Sequence, residues 1–154
     1  MQNKMKQVII VLLVLVSSSA FSQSKFSKNE LSINGFRNPS IGLEYRHQNV
    51  SVHAGYYITA FEKNVTTKFF KVGATVWFLP IGKKQNPSSF YAGVSYLRGL
   101  NLDYKNENAV AMEAGFRWMV WKGLNLRIGA IGLAAKGHDF KINPTPGISY
   151  SFFF

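Results

Sequence analysis

The chain predicts an all-β fold: an eight-stranded antiparallel up-and-down barrel that crosses a membrane with its strands. Three observations predict it. Large apolar side chains alternate with small or polar ones at a period of two along most of the chain. A glycine recurs on the small-residue side of seven successive strands. No apolar run beyond the first sixteen residues approaches the length of a membrane helix.

The N-terminus reads as a leader. Lys4 and Lys6 form a basic region, and Val8 to Val16 is an unbroken apolar run of nine residues. That run is short for a spanning helix and suits a secretory h-region. Ser18, Ala20 and Ser22 then offer small residues for a cut before Gln23 or after Ala20. Residues 1–22 are expected to be a cleaved signal peptide, with an uncleaved interfacial anchor as the alternative. Residues 23–30 are a short polar lead-in, and 31–154 are the barrel.

Strands are expected at 31–36, 41–47, 50–59, 68–78, 90–98, 109–121, 124–133 and 146–154. In 41–47, Ile41, Leu43 and Tyr45 oppose Gly42, Glu44 and Arg46. In 68–78, Phe70, Val72, Ala74, Val76 and Phe78 oppose Lys71, Gly73, Thr75 and Trp77. In 109–121, Val110, Met112, Ala114, Phe116, Trp118 and Val120 oppose Glu113, Gly115 and Arg117. The separators carry turn chemistry, from Asn38-Pro39-Ser40 to Lys122-Gly123 and Lys136 to Thr145. All five prolines are expected in turns or at a strand's first residue, where no ladder bond is lost. The first strand is the weakest, and merging 31–47 into one kinked strand would leave seven.

Gly42, Gly55, Gly73, Gly93, Gly115, Gly129 and Gly147 share one phase. Glycine weakens a strand, so the repetition needs a cause. A narrow barrel supplies one, because its interior just accommodates side chains and its strands must coil tightly to close. With both termini on one side, the Gln48-Asn49 and Lys122-Gly123 turns are short periplasmic ones. Tyr45, Phe78, Phe90, Trp118, Phe152 and Phe154 then form an inner aromatic belt, and Phe61, Phe70 and Tyr96 an outer one.

There are no cysteines, so an exported chain of this kind holds together without disulfides. Without Lys4 and Lys6, sixteen basic residues face seven acidic ones, a net charge of +9. The basic residues are scattered over turns and strand ends rather than gathered in a stripe. Nucleic acid is therefore not expected; outer-membrane lipid phosphates and lipopolysaccharide are the better counter-charges, with solubility and turn solvation as the equal alternative. The inward faces carry Glu44, Arg46, His53, Lys71, Glu113, Arg117 and Arg127. Ions inside a narrow tube must pair or find water, so these residues are expected to form a structural polar network that plugs the lumen. Arg127 is expected to reach Glu113 across the Lys122-Gly123 hairpin.

The final strand sets Ile148, Tyr150, Phe152 and Phe154 on one face and ends on an aromatic residue. It resembles the C-terminal assembly signal of bacterial outer-membrane barrels. The mature chain as a whole is similar to the small OmpA- and OmpX-type barrels, on architecture rather than on an internal motif. The resemblance implies a monomer in the Gram-negative outer membrane. It also implies delivery by periplasmic chaperones and insertion by the barrel assembly machinery. It implies no activity.

Enzymes on this scaffold set a further expectation. The lipid A deacylase arrangement has a Ser two residues after a His, but Asn49, Gly55 and Phe140 follow His47, His53 and His138 at that spacing. His138 and Asp139 are adjacent in a loop, so their side chains are expected to diverge. No nucleophile, base and orienter converge, and neither a cofactor nor a metal site is expected. The expected function is therefore non-enzymatic, a structural or surface-interaction role in the cell envelope. A small channel, a lipid A-modifying enzyme and a secreted lipocalin-like carrier are the alternatives.

Overall fold

The computed structural model describes residues 26–36, 40–62 and 65–154. The leader expected over 1–22 lies outside these residues, as do Asn38, Pro39, Lys63, Asn64 and the side chain of Phe61. The strands are β1 (Asn29–Phe36), β2 (Ile41–His47), β3 (Val50–Glu62), β4 (Val65–Ile81), β5 (Ser88–Gly99), β6 (Asn108–Trp121), β7 (Leu124–Ala135), β8 (Lys141–Pro144) and β9 (Gly147–Phe153). A single 3₁₀ turn, Leu102–Tyr104, lies between β5 and β6.

Consecutive strands from β1 to β7 pair antiparallel, and β9 returns to pair with both β7 and β1. The sheet is therefore closed. β8 and β9 keep one register against β7, with Ile131 opposite Asn143 and Arg127 opposite Gly147. They are two parts of one eighth strand, interrupted at 145–146. The Thr145 N–H donates to the Gly129 carbonyl at 2.8 Å and holds the ladder across the break. Alternate residues of an antiparallel strand bond to the same neighbour, so the nitrogen of Pro146 faces away from β7. The barrel thus has eight strands, and the seven-strand alternative is excluded.

Several boundaries depart from expectation: β3 and β4 reach further toward each other, and the eighth strand begins at Lys141, inside the expected Lys136 to Thr145 turn. β1 begins at Asn29, which lengthens the weak first strand and moves Glu30 from the lead-in into the wall. β4 runs through Pro80 to Ile81. A register shift between Phe78 and Ile81, with Leu79 at φ 49°, forms a bulge there. A bulge leaves one residue unpaired, which is how a strand tolerates a proline.

The stagger of the barrel can be followed residue by residue. From Ser151 the pairings pass through Ser32, Glu44, His53, Gly73, Ser95, Ala111 and Leu133 and return to the eighth strand at Lys141. One circuit therefore climbs from residue 151 to residue 141 of the same strand. With eight strands, a shear of this size tilts each strand by about 40° to the axis.

The wall is inverted relative to a water-soluble protein. Ile33, Leu43, Val52, Val94, Met112 and Ile128 are between 50% and 68% exposed on the outside. Glu30, Arg46, Lys71 and Arg117 are at most 1% exposed within. The expected aromatics Tyr45, Phe70, Phe90, Tyr96, Trp118, Phe152 and Phe154 also lie exposed on the outer wall. The interior is layered. Phe26, Trp77 and Tyr91 cluster toward the end that holds the start of β1 and the end of β9. Tyr57, Phe69, Leu97, Tyr104, Ile131 and Leu133 fill the opposite mouth, called the far end below. The charged residues interleave with the first cluster, Arg46 against Phe26 and Arg117 and Arg127 against Trp77.

The inward glycines make room where strands cross closely. A Cβ on Gly115 would lie 2.6 Å from the Tyr91 hydroxyl and 2.7 Å from the Gly129 Cα. The Tyr91 ring can therefore enter the lumen only because β6 and β7 are bare at that level.

Candidate functional site

β1, β2 and β6 bring the first charged group together. Glu30 sits opposite Arg46 in the β1–β2 ladder. Arg46 Nε donates to its carboxylate at 2.8 Å, and Arg46 Nη2 also contacts it. Arg117 reaches the same carboxylate from across the barrel, its Nη1 donating to the two oxygens at 2.8 and 3.1 Å. Ser32 adds a hydroxyl donor at 3.0 Å. One carboxylate thus joins three strands. The Arg46 guanidinium also lies 4.6 Å from the centre of the Phe26 ring, and that of Arg117 lies 4.4 Å from Trp77. Such contacts offset part of the cost of burying a cation.

The second group is centred on Glu44. Arg127 Nη1 donates to it at 2.7 Å, Ser51 Oγ at 2.5 Å and Asn34 Nδ2 at 3.2 Å. Trp77 Nε1 donates to Ser51 at 2.8 Å, so the indole is held by polar and cationic partners at once. The third group pairs Lys71 Nζ with Glu113 at 2.8 Å. His53 Nε2 lies 3.1 Å from Ser95 Oγ and 4.0 Å from Glu113, and its Nδ1 lies 3.4 Å from Thr75 Oγ1.

All seven lumen residues named from the sequence, Glu44, Arg46, His53, Lys71, Glu113, Arg117 and Arg127, face inward. The expected Arg127–Glu113 pair does not form. Across the β6–β7 ladder Arg127 faces Arg117, and Glu113 faces Ile131. Two like charges side by side on neighbouring strands repel, and each turns to a carboxylate across the tube. Glu30 falls in the segment the sequence reads as a lead-in, and the structure adds it to the network. Continuing the alternation of Leu31 and Ile33 back by one residue would have placed it inward. Phe26 gave no such signal, because a lone aromatic in a polar segment has no period.

Between these groups the free space is about 10 Å³, lined by Glu44, His53, Lys71, Glu113 and Arg127 among others. That is about the room one water molecule needs. Arg117 and Arg127 each keep a buried Nε and Nη2 without a protein acceptor, and Asn34, Asn125 and Ser149 keep buried oxygens without a donor. Donors and acceptors of this kind are suited to bridging by single waters.

Ile148, Tyr150, Phe152 and Phe154 project from the outer wall, away from the network. At the far end a second cavity, of about 250 Å³, is bordered by Tyr104, His138 and Asp139. His138 and Asp139 therefore line one cavity, although adjacent residues on an extended chain would diverge. The β7–β8 loop turns there at Gly137, which has φ 78°, and is not extended. Among the described residues no group of three His, Cys, Asp or Glu side chains is placed to hold a metal ion. Compared with protein-family models, curated proteins and solved structures, the chain matches none of them.

Proposed function

We propose that this chain is an integral outer-membrane β-barrel of the OmpA/OmpX kind. It is non-enzymatic, its lumen is plugged by side chains, and its role is structural or one of surface interaction in the cell envelope. The observation that carries this reading is the radial inversion of polarity. Apolar side chains cover the outside of a closed sheet while paired charges fill the inside. Hydrocarbon stabilises such a wall, whereas in water it would be one continuous apolar patch. Closure also leaves few free backbone groups for a lipid environment to desolvate.

The lumen argues for a plug rather than a conduit. Its charged layer has room for about one water, and aromatic and aliphatic side chains close it above and below. A lipocalin-like carrier would need an apolar cavity in place of the Glu30, Glu44 and Glu113 groups. The export leader, chaperone delivery and barrel assembly belong to the same proposal.

Cell fractionation with heat-modifiable gel mobility tests it. The protein should partition with outer membranes, require detergent, and run at a different apparent size before and after boiling in SDS. A chain that is soluble without detergent would end the proposal. Conductance in planar bilayers that changes on Arg117→Ala or Arg127→Ala would replace the plug with a channel. An altered lipid A mass on overexpression would replace it with an enzyme.

A further inference from the structure

The cavity at the far end has features that barrel closure does not require. Tyr104, carried by the 3₁₀ turn after β5, folds back over the mouth, with its ring 5.3 Å from Phe69 in an edge contact. The imidazole of His138, from the β7–β8 loop, stacks on that ring at 4.1 Å with an interplanar angle of 20°. Gly99 makes the fold-back possible, since any Cβ there would run into the Tyr104 backbone. The Lys105 and Glu107 amides donate to the Leu102 and Tyr104 carbonyls, each at 2.9 Å, and fix the loop from within.

Leu102 is held at φ 53°, a left-handed conformation costly for a branched side chain. That strain sits beside the cavity, where Asp103 and Asp139 present carboxylates, Lys141 an ammonium and Thr67 a hydroxyl. Asp103, Asp139 and Lys141 take part in none of the ion pairs formed among the described residues. This separates them from the lumen charges, which are all engaged in such pairs.

We propose that this cavity is a binding site for one hexose unit of a glycan. A sugar ring has an apolar C–H face and a rim of hydroxyl groups. The half-buried His138 imidazole, backed by the buried Tyr104 ring, supplies a flat surface for the first, and the carboxylates, ammonium and hydroxyl supply acceptors and donors for the second. The volume of about 250 Å³ holds one such ring and not an extended chain. Two carboxylates against one lysine disfavour a phosphate-bearing ligand, and the polar lining disfavours an acyl chain. The proposal deepens the surface-interaction reading and depends on it only for the far end facing the medium.

The test uses the full barrel in amine-oxide detergent micelles, since a sugar-headed detergent would compete. Methyl glycosides of glucose, galactose, mannose and glucosamine are titrated by calorimetry and by NMR of the His138 imidazole. At least one glycoside should bind and shift the His138 signals. Asp103→Asn and Asp139→Asn should each weaken it about tenfold or more, and His138→Ala should abolish the saturable signal. Binding by none of the four overturns the proposal, as does equal binding by the Asp139→Asn protein. A simple diamine that binds where the sugars do not also overturns it, in favour of an ammonium site. Heat-modifiable mobility of the same samples reports the barrel separately, so loss of the barrel and loss of sugar binding read differently.

Discussion

Arg117 and Glu30 meet across the barrel at 2.8 Å, from strands 87 residues apart in the chain. Both side chains are at most 1% exposed, and Arg46 shares the same carboxylate. This contact ties the first strand to the sixth without any backbone pairing between them. It adds a cross-barrel link to the ladders that pair the eight-residue β1 with β2 and β9.

Removing Glu30 should therefore be more harmful than removing an apolar wall residue. Glu30→Gln leaves two buried guanidinium groups short of a counter-charge, which costs about 3–5 kcal/mol. Urea unfolding in phospholipid vesicles, read by gel mobility, measures the loss. Replacing the triad together, as Glu30→Leu, Arg46→Leu and Arg117→Met, should recover most of it. A triple variant less stable than Glu30→Gln would mean that packing, not charge, sets the cost.

The identity of Arg127's partner is open to a double-mutant cycle. Arg127→Met and Glu44→Gln should couple by about 1 kcal/mol or more, because the two groups touch. Arg127→Met and Glu113→Gln, which line the same space without a direct contact, should couple less than the Glu44 pair. The reverse pattern would restore the hairpin pairing and refute the cross-barrel one.

Gly115 should resist even a methyl group. Gly115→Ala drives a Cβ against Tyr91 and Gly129, an overpacking expected to cost about 1–3 kcal/mol. In a Tyr91→Phe background, part of that loss should disappear, since the hydroxyl 2.6 Å away is then gone. An unchanged penalty would assign the whole effect to the backbone of β7.

The outer wall gives the sharpest test of a lipid environment. Val94 lies midway along β5 and is 56% exposed. Val94→Arg should destabilise the folded barrel in vesicles by about 2–4 kcal/mol, the cost of a cation near a bilayer midplane. In a water-soluble barrel the same change would sit within about 0.5 kcal/mol of neutral. Stability measured against urea in vesicles separates the two.

Much of the architecture was legible because period-two alternation is a local property. Val50, Val52 and Ala54 face out and Ser51 and His53 face in whatever the neighbouring strands do. The two-residue turns Gln48-Asn49 and Lys122-Gly123 then marked where strands end, whereas Pro80 and Pro144, expected in turns, lie within β4 and β8. The limits appeared where a local signal was interrupted. Glu30 lay beyond a short strand in a polar segment, and Pro80 concealed the last residues of β4 behind a bulge. The far-end cavity gave no pattern at all, because Thr67, Tyr104, His138 and Lys141 come from separate elements.

The amino-acid order by itself determined the class of fold, the face on which most strand side chains lie and, Glu30 apart, the charges that share the interior. The tertiary structure alone decided which charge meets which. The physical reason is the stagger of the closed sheet. Alternation records only in or out, but a circuit that returns at Lys141 after leaving Ser151 sets the height at which each inward residue crosses the tube. That height brings Arg117 to Glu30 and Arg127 to Glu44.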